Sequence, residues 1–206
     1  MKRFILILVI VLVLATPIFA KDNKAFFSLG TDVTFPTFEF MKDFRGDLTL
    51  SVGRIGSSGK GLSMGLYSYN TFRVPFWVYD NVFGFEKVDL KEFTGVYLTS
   101  IDGIGIIIPF GSTLDLVLGL GLAAEFDTVL DWKEASIADS IILQLGAGAR
   151  ADLFFNLTDT LFVDFGVEAS YLLYEFYYFV DFKDSGSAKI NRWNYPSCGL
   201  RVGIKF

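Results

Sequence analysis

The chain contains no histidine, and that absence removes more chemistry than any other feature of its composition. Without imidazole there is no Ser-His or Cys-His nucleophile pair and no histidine metal centre, and no other metal-ligand spacing or phosphate-binding glycine loop stands in for them. A single cysteine, Cys198, excludes an intrachain disulfide framework. Basic residues are also scarce: 18 Lys and Arg face 23 Asp and Glu, for a net charge of −5. With no basic run to offset that balance, nucleic acid is not an expected partner. Beyond the first twenty residues there is no apolar run long enough for a membrane helix. No cofactor or metal is expected, and an enzyme is not the expected reading.

What is present is an apolar surplus, 52% hydrophobic and 17% aromatic, with a mean hydropathy of +0.46. Part of it is a leader. Lys2 and Arg3 precede an apolar run from Phe4 through Ala15, then Thr16-Pro17-Ile18-Phe19-Ala20 and a polar start at Lys21. This order describes a secretory signal peptide, residues 1–20, cleaved after Ala20, with residues 21–206 forming one domain. An uncleaved anchor is the competing reading, but Pro17 suits the end of a signal core better than a helix interior. Ile18 is not the small residue preferred three positions before a cut, and no cysteine near the cut suggests a lipoprotein.

The rest of the surplus is spread by alternation. Leu114, Leu116, Leu118, Leu120 and Leu122 alternate with Asp115, Val117, Gly119, Gly121 and Ala123. On a helix those five leucines would wrap the whole circumference; on a strand they make one face. The same period recurs from Phe27 to Phe35, from Asp47 to Gly53, from Leu62 through Tyr69, from Ile141 to Leu153, from Leu161 to Tyr171 and from Pro196 to Phe206. The segment from Val96 to Ile108 changes phase, which predicts a bulge near Asp102-Gly103. Pro36 to Arg45, Asn70 to Glu92, Asp127 to Asp139 and Asp181 to Arg192 read as loops, with Gly56 to Gly61, Pro109 to Ser112 and Asn156 to Asp159 as turns. The sequon at Asn156 to Thr158 reads as turn chemistry. Aromatics from Tyr171 to Phe179 read as an interfacial girdle rather than a ligand-stacking surface.

The last strand sets Cys198, Leu200, Val202, Ile204 and Phe206 against Ser197, Gly199, Arg201, Gly203 and Lys205, and the sequence ends on that Phe. This ending resembles the C-terminal assembly signal of bacterial outer-membrane β-barrels, carried here by Leu200, Val202, Ile204 and Phe206. The mature chain resembles the small members of that class, of OmpX, OmpA-domain and OmpW types. The resemblance implies an all-β, eight-stranded antiparallel up-and-down transmembrane β-barrel in the outer membrane. It also implies outer-membrane lipid and the barrel-assembly machinery as partners. Barrel enzymes of this class rely on histidine, so their activities do not carry over. A monomer is expected.

With apolar residues outside, the charges fall inside. Arg150, Asp152, Asp164 and Arg201 count to similar depth from the short-turn end, predicting a salt-bridge network in which Arg150 and Arg201 bridge Asp152, Asp164 and Glu168, with Asp32 reachable across the closing seam. Interior glycines either relieve crowding or leave a wet gap, and the pattern alone allows both. Two functions follow as expectations: a plugged structural or surface-interaction protein meeting an extracellular partner through its loops, or a passive channel for small hydrophobic solutes. A soluble lipocalin-type barrel would reverse the two faces.

Overall fold

The computed structural model describes residues 23–35, 44–56, 61–80, 86–87, 93–131, 136–179, 184–194 and 196–206. The expected signal peptide and the stretch from Pro36 to Lys42 lie outside them. Ten strands follow one another: β1 (Asn23–Thr34), β2 (Phe44–Gly56), β3 (Ser63–Asp80), β4 (Glu86–Lys87), β5 (Phe93–Phe110), β6 (Leu114–Asp131), β7 (Ser136–Asn156), β8 (Leu161–Phe179), β9 (Asp184–Trp193) and β10 (Ser197–Lys205). All pairings are antiparallel, and β10 bonds both β1 and β8, so the sheet closes on itself. β4 is a spur on the tip of β3, while β9 and β10 lie end to end along β8 as one wall strand. The wall therefore has eight strands and, being closed, no edges.

Alternation decides which way each side chain points, and closure decides which face is inside. Leu29, Leu120, Leu122 and Leu200 are exposed at 56%, 65%, 76% and 57%, whereas Asp32, Asp47, Arg150, Asp152, Asp164 and Arg201 are all buried. Charge in the middle and leucine outside is the inverse of a water-soluble barrel. Leu200, Val202, Ile204 and Phe206 all stand on the exposed face, as does the half-buried Cys198, which pairs with Val33 of β1. The strands are long, running to 21 residues in β7. A tilted crossing needs only ~9–11 residues, so the wall continues beyond a bilayer at the end where the long connections lie.

Four sequence expectations change. The stretch from Asn70 is not loop: β3 runs on to Asp80, because Pro75 falls where the β2 register skips a residue, Gly46 facing Trp77 and Asp47 facing Pro75. A bulge tolerates the missing amide. No bulge interrupts β5 near Asp102-Gly103, since its pairing with β6 is continuous from Phe93 to Phe110 and Asp102 simply points outward. Much of the expected loop from Asp127 is strand, up to Asp131 and again from Ser136. The expected last loop, Asp181 to Arg192, contains β9. Leu173 is the extra residue of a bulge in β8, and beyond it Tyr174, Phe176 and Tyr178 stand exposed on the outer wall.

Candidate functional site: the lumen

Two side-chain layers occupy the barrel from the short-turn end upward, below an open cup. The first is aromatic. Phe26 of β1, Phe154 of β7 and Phe162 of β8 pack edge-on and tilted, with centroids 5.0–5.8 Å apart, and Tyr69 lies 5.2 Å from Phe26. Tyr67, Ile101 and Val117 complete the cluster. Lys205 of β10 closes it from below, its Nζ 5.2 Å and 5.4 Å from the rings of Phe154 and Phe162, hydrogen-bonded to Asn156 and 4.0 Å from Asp115.

The second layer is ionic. Arg150 Nη2 lies 2.7 Å from Asp152 Oδ1 and 3.9 Å from Asp164 Oδ2, while its Nη1 is 2.5 Å from Glu168 Oε2. Arg201 reaches Asp32 at 2.5 Å and Asp164 at 3.4 Å. All six residues singled out from the sequence thus meet in one cluster. The tyrosines link it to the layer below: Tyr67 and Tyr69 donate to Asp152 and Asp164, both at 3.4 Å, and the Arg150 guanidinium stacks 3.6 Å over the Tyr69 ring.

Sequence reasoning missed a seventh member, Arg73 of β3. Its guanidinium bonds Asp32 at 3.2 Å and Thr99 at 2.6 Å, and pairs with Glu168. With it, three cations face four carboxylates, so one excess negative charge remains where two cations would have left two. The signal was available: Tyr67, Tyr69, Thr71 and Arg73 keep one phase, but Pro75 and the following aromatics disguised the strand as a loop.

The interior glycines are niches for these large groups. A Cβ on Gly166 would sit 2.2 Å from Asp152 Oδ1 and 2.4 Å from Arg150 Nη2, and one on Gly119 would sit 2.4 Å from the Tyr67 ring. Both positions lie against filled space, so crowding relief is the reading that applies to them.

Above the ionic layer the barrel opens into a polar cup of about 260 Å³. Arg73 and Glu168 form part of its lining, and Glu125 accepts from Ser170 and Asn194. At the rim Arg45 stacks 3.7 Å over Tyr97 and pairs with Asp47 at 2.8 Å. Among the described residues no group of three or more acidic or cysteine side chains is arranged to hold a metal ion.

No protein-family model matches the chain, and no curated protein matches its sequence. Solved structures do match. OprG, an outer membrane protein from Pseudomonas aeruginosa, is similar at a TM-score of 0.50 and 10% identity over 90% of this chain and 97% of that one. Neisserial surface protein A gives 0.48 and 13%, covering 89% and 95%. Ail, the attachment invasion locus protein of Yersinia pestis, gives 0.46 and 13%, covering 90% and 99%. Identities this low speak to the fold alone: the chain has the architecture of the small eight-stranded outer-membrane β-barrels.

Proposed function

We propose that this barrel sits in the bacterial outer membrane as a sealed, non-enzymatic stem whose work is done by the connections at its open end. One observation carries the reading: a buried aromatic cluster and, above it, a buried cluster of paired arginines and carboxylates stand one after the other along the lumen. A path for solutes would have to cross Phe26, Phe154 and Phe162 and then separate arginines from carboxylates. Breaking such a buried pair leaves an uncompensated charge, at a cost of about 3–5 kcal/mol. The ionic layer's role is structural, satisfying charges that hold eight strands in one register.

Catalysis has little to work with. The chain lacks histidine, and the buried carboxylates of the ionic layer are bonded to arginines, which keeps them occupied. The cup is, in this reading, the surface offered outward. In this reading the partner is extracellular, and it is the connections that recognise it.

Purified protein reconstituted in planar bilayers and solute-loaded vesicles tests the seal. The expected result is a silent bilayer and no uptake of small hydrophobic solutes. Steady conductance or uptake by the unaltered protein would replace the stem with a passive channel.

A further inference from the structure

Polar side chains gather at one place on the outer wall. On β3, Ser68 and Asn70, each only 6% exposed, interrupt a series that is apolar below, at Met64 and Leu66, and again above, at Phe72 and Phe76. On β5, Ser100 and Asp102 likewise interrupt Leu98 and Ile104. Register brings the two interruptions together, Ser68 facing Asp102 and Asn70 facing Ser100. Asn70 donates to Ser68 at 3.3 Å and Ser100 to Asp102 at 2.6 Å, and the Asp102 side chain is exposed.

The height of this island follows from pairing alone. One hydrogen-bonded row runs from Phe206 through Ala25, Arg54, Ser68, Asp102, Leu122, Ala147 and Tyr171 to Trp193. Strands in such barrels tilt by about 35–45°, so each step along a row climbs by a similar amount. Asp102 is four steps from the terminal aromatic Phe206, three from the half-buried Tyr171 and four from the exposed Trp193, and the rings of the last two meet edge-on at 5.3 Å. Aromatics mark the two interfaces of a membrane barrel. A carboxylate therefore stands halfway up the lipid-facing wall, where charge is costly unless another polar surface covers it.

We infer that the β3–β5 wall is a dimer interface, and that its occupant is a second copy of this chain. The island is self-complementary. Arg54 stands on the same row and outward face as Asp102, two strands away, with only the small Ser68 between them. A two-fold axis along the membrane normal beside Ser68 sets Arg54 of each copy below Asp102 of the other, two row steps lower, a rise its long side chain can span, in the self-matching arrangement of an isologous contact. Small polar residues at its centre allow two walls to approach closely. This replaces the expected monomer, and it rests on lipid covering the wall, which the heat-shift and membrane-fraction controls below test separately.

The experiment uses the full chain with Ile104→Cys in a Cys198→Ala background, placing one thiol beside the island without altering it. Outer membranes are treated with a short thiol-to-thiol crosslinker, and the purified protein is weighed in mild detergent by light scattering. The expected product is a covalent dimer of twice the chain mass. Unaltered protein, whose Cys198 lies on β10 across the barrel, stays uncrosslinked. Asp102→Leu should still fold, judged by the heat-induced gel shift and recovery in the membrane fraction, yet associate about tenfold more weakly. A monomer mass with no crosslink, a crosslink to a band of another mass, or a folded Asp102→Leu that dimerises as before would each overturn the inference.

Discussion

Arg201 Nη2 lies 2.5 Å from Asp32 Oδ1, joining the last strand of the barrel to the first across 169 residues of sequence. Their backbones are already neighbours, since Gly30 pairs with Arg201 and Asp32 with Gly199. The side-chain bond thus lies over the seam where the sheet closes, and only the closed barrel brings it about. Arg201→Ala should lower stability by about 3–5 kcal/mol, because Asp32 and Asp164 would stay buried with a partner removed. Urea unfolding in lipid vesicles measures this. A loss below about 1 kcal/mol would show that water, rather than protein, surrounds these charges.

Arg73 and Arg45 offer a matched comparison along the same lumen. Arg73 is 3% exposed and touches Asp32 and Glu168, while Arg45 belongs to the cup rim with a partly exposed side chain. Arg73→Ala is expected to cost about 3–5 kcal/mol; Arg45→Ala is expected to cost less, about 1–3 kcal/mol, because the buried Asp47 keeps its bond from Thr34. Equal losses in the same unfolding assay would contradict a lumen that dries with depth.

Gly166 sits under the Arg150 and Asp152 pair with no room for a methyl group. Gly166→Ala should destabilise by about 1–3 kcal/mol, the usual range for overpacking. A variant with unaltered unfolding and an unaltered heat shift would mean that the pair moves aside at no cost.

The outer wall makes the opposite prediction about charge. Leu120 is 65% exposed and flanked by Ile104 and Ala149. Leu120→Arg should cost about 2–4 kcal/mol near the membrane midplane. The measurement is the fraction of folded, heat-shifting protein recovered after insertion into vesicles. If lipid does not cover this face, an exposed arginine there would be harmless.

Cys198 supplies a probe already in the chain. It is half-buried on the outward face of β10, in line with Leu200 and Val202. In vesicles it should resist a membrane-impermeant maleimide and react with a lipid-soluble one, then react with both once the protein is unfolded. Rapid labelling by the impermeant reagent in the folded state would place this wall in water.

Much of the barrel was legible because a strand's side chains alternate wherever no bulge intervenes. Once Leu114 to Leu122 defined one face, Asp115 and Glu125 were assigned to the other, and the same logic put Asp32, Arg150, Asp152, Asp164, Glu168 and Arg201 inside. Arg73 shares the phase of Tyr67, Tyr69 and Thr71 but was hidden, because Pro75 is a stop signal in sequence and becomes tolerable only beside Phe76, which the pairing with β2 skips. The phase change around Asp102 was equally ambiguous: a bulge and an outward carboxylate give the same pattern, and only the unbroken pairing with β6 tells them apart.

The amino-acid order by itself determined which residues share a face, since that depends on nothing beyond the two-residue repeat of an extended chain. It could not determine which residues meet across strands, because Ser68 and Asp102, or Asp32 and Arg201, become neighbours only through register and closure. Those two choices are made by the whole sheet at once. They decide that arginines and carboxylates scattered along the chain meet in the lumen, and that four scattered polar side chains form one island on the outer wall.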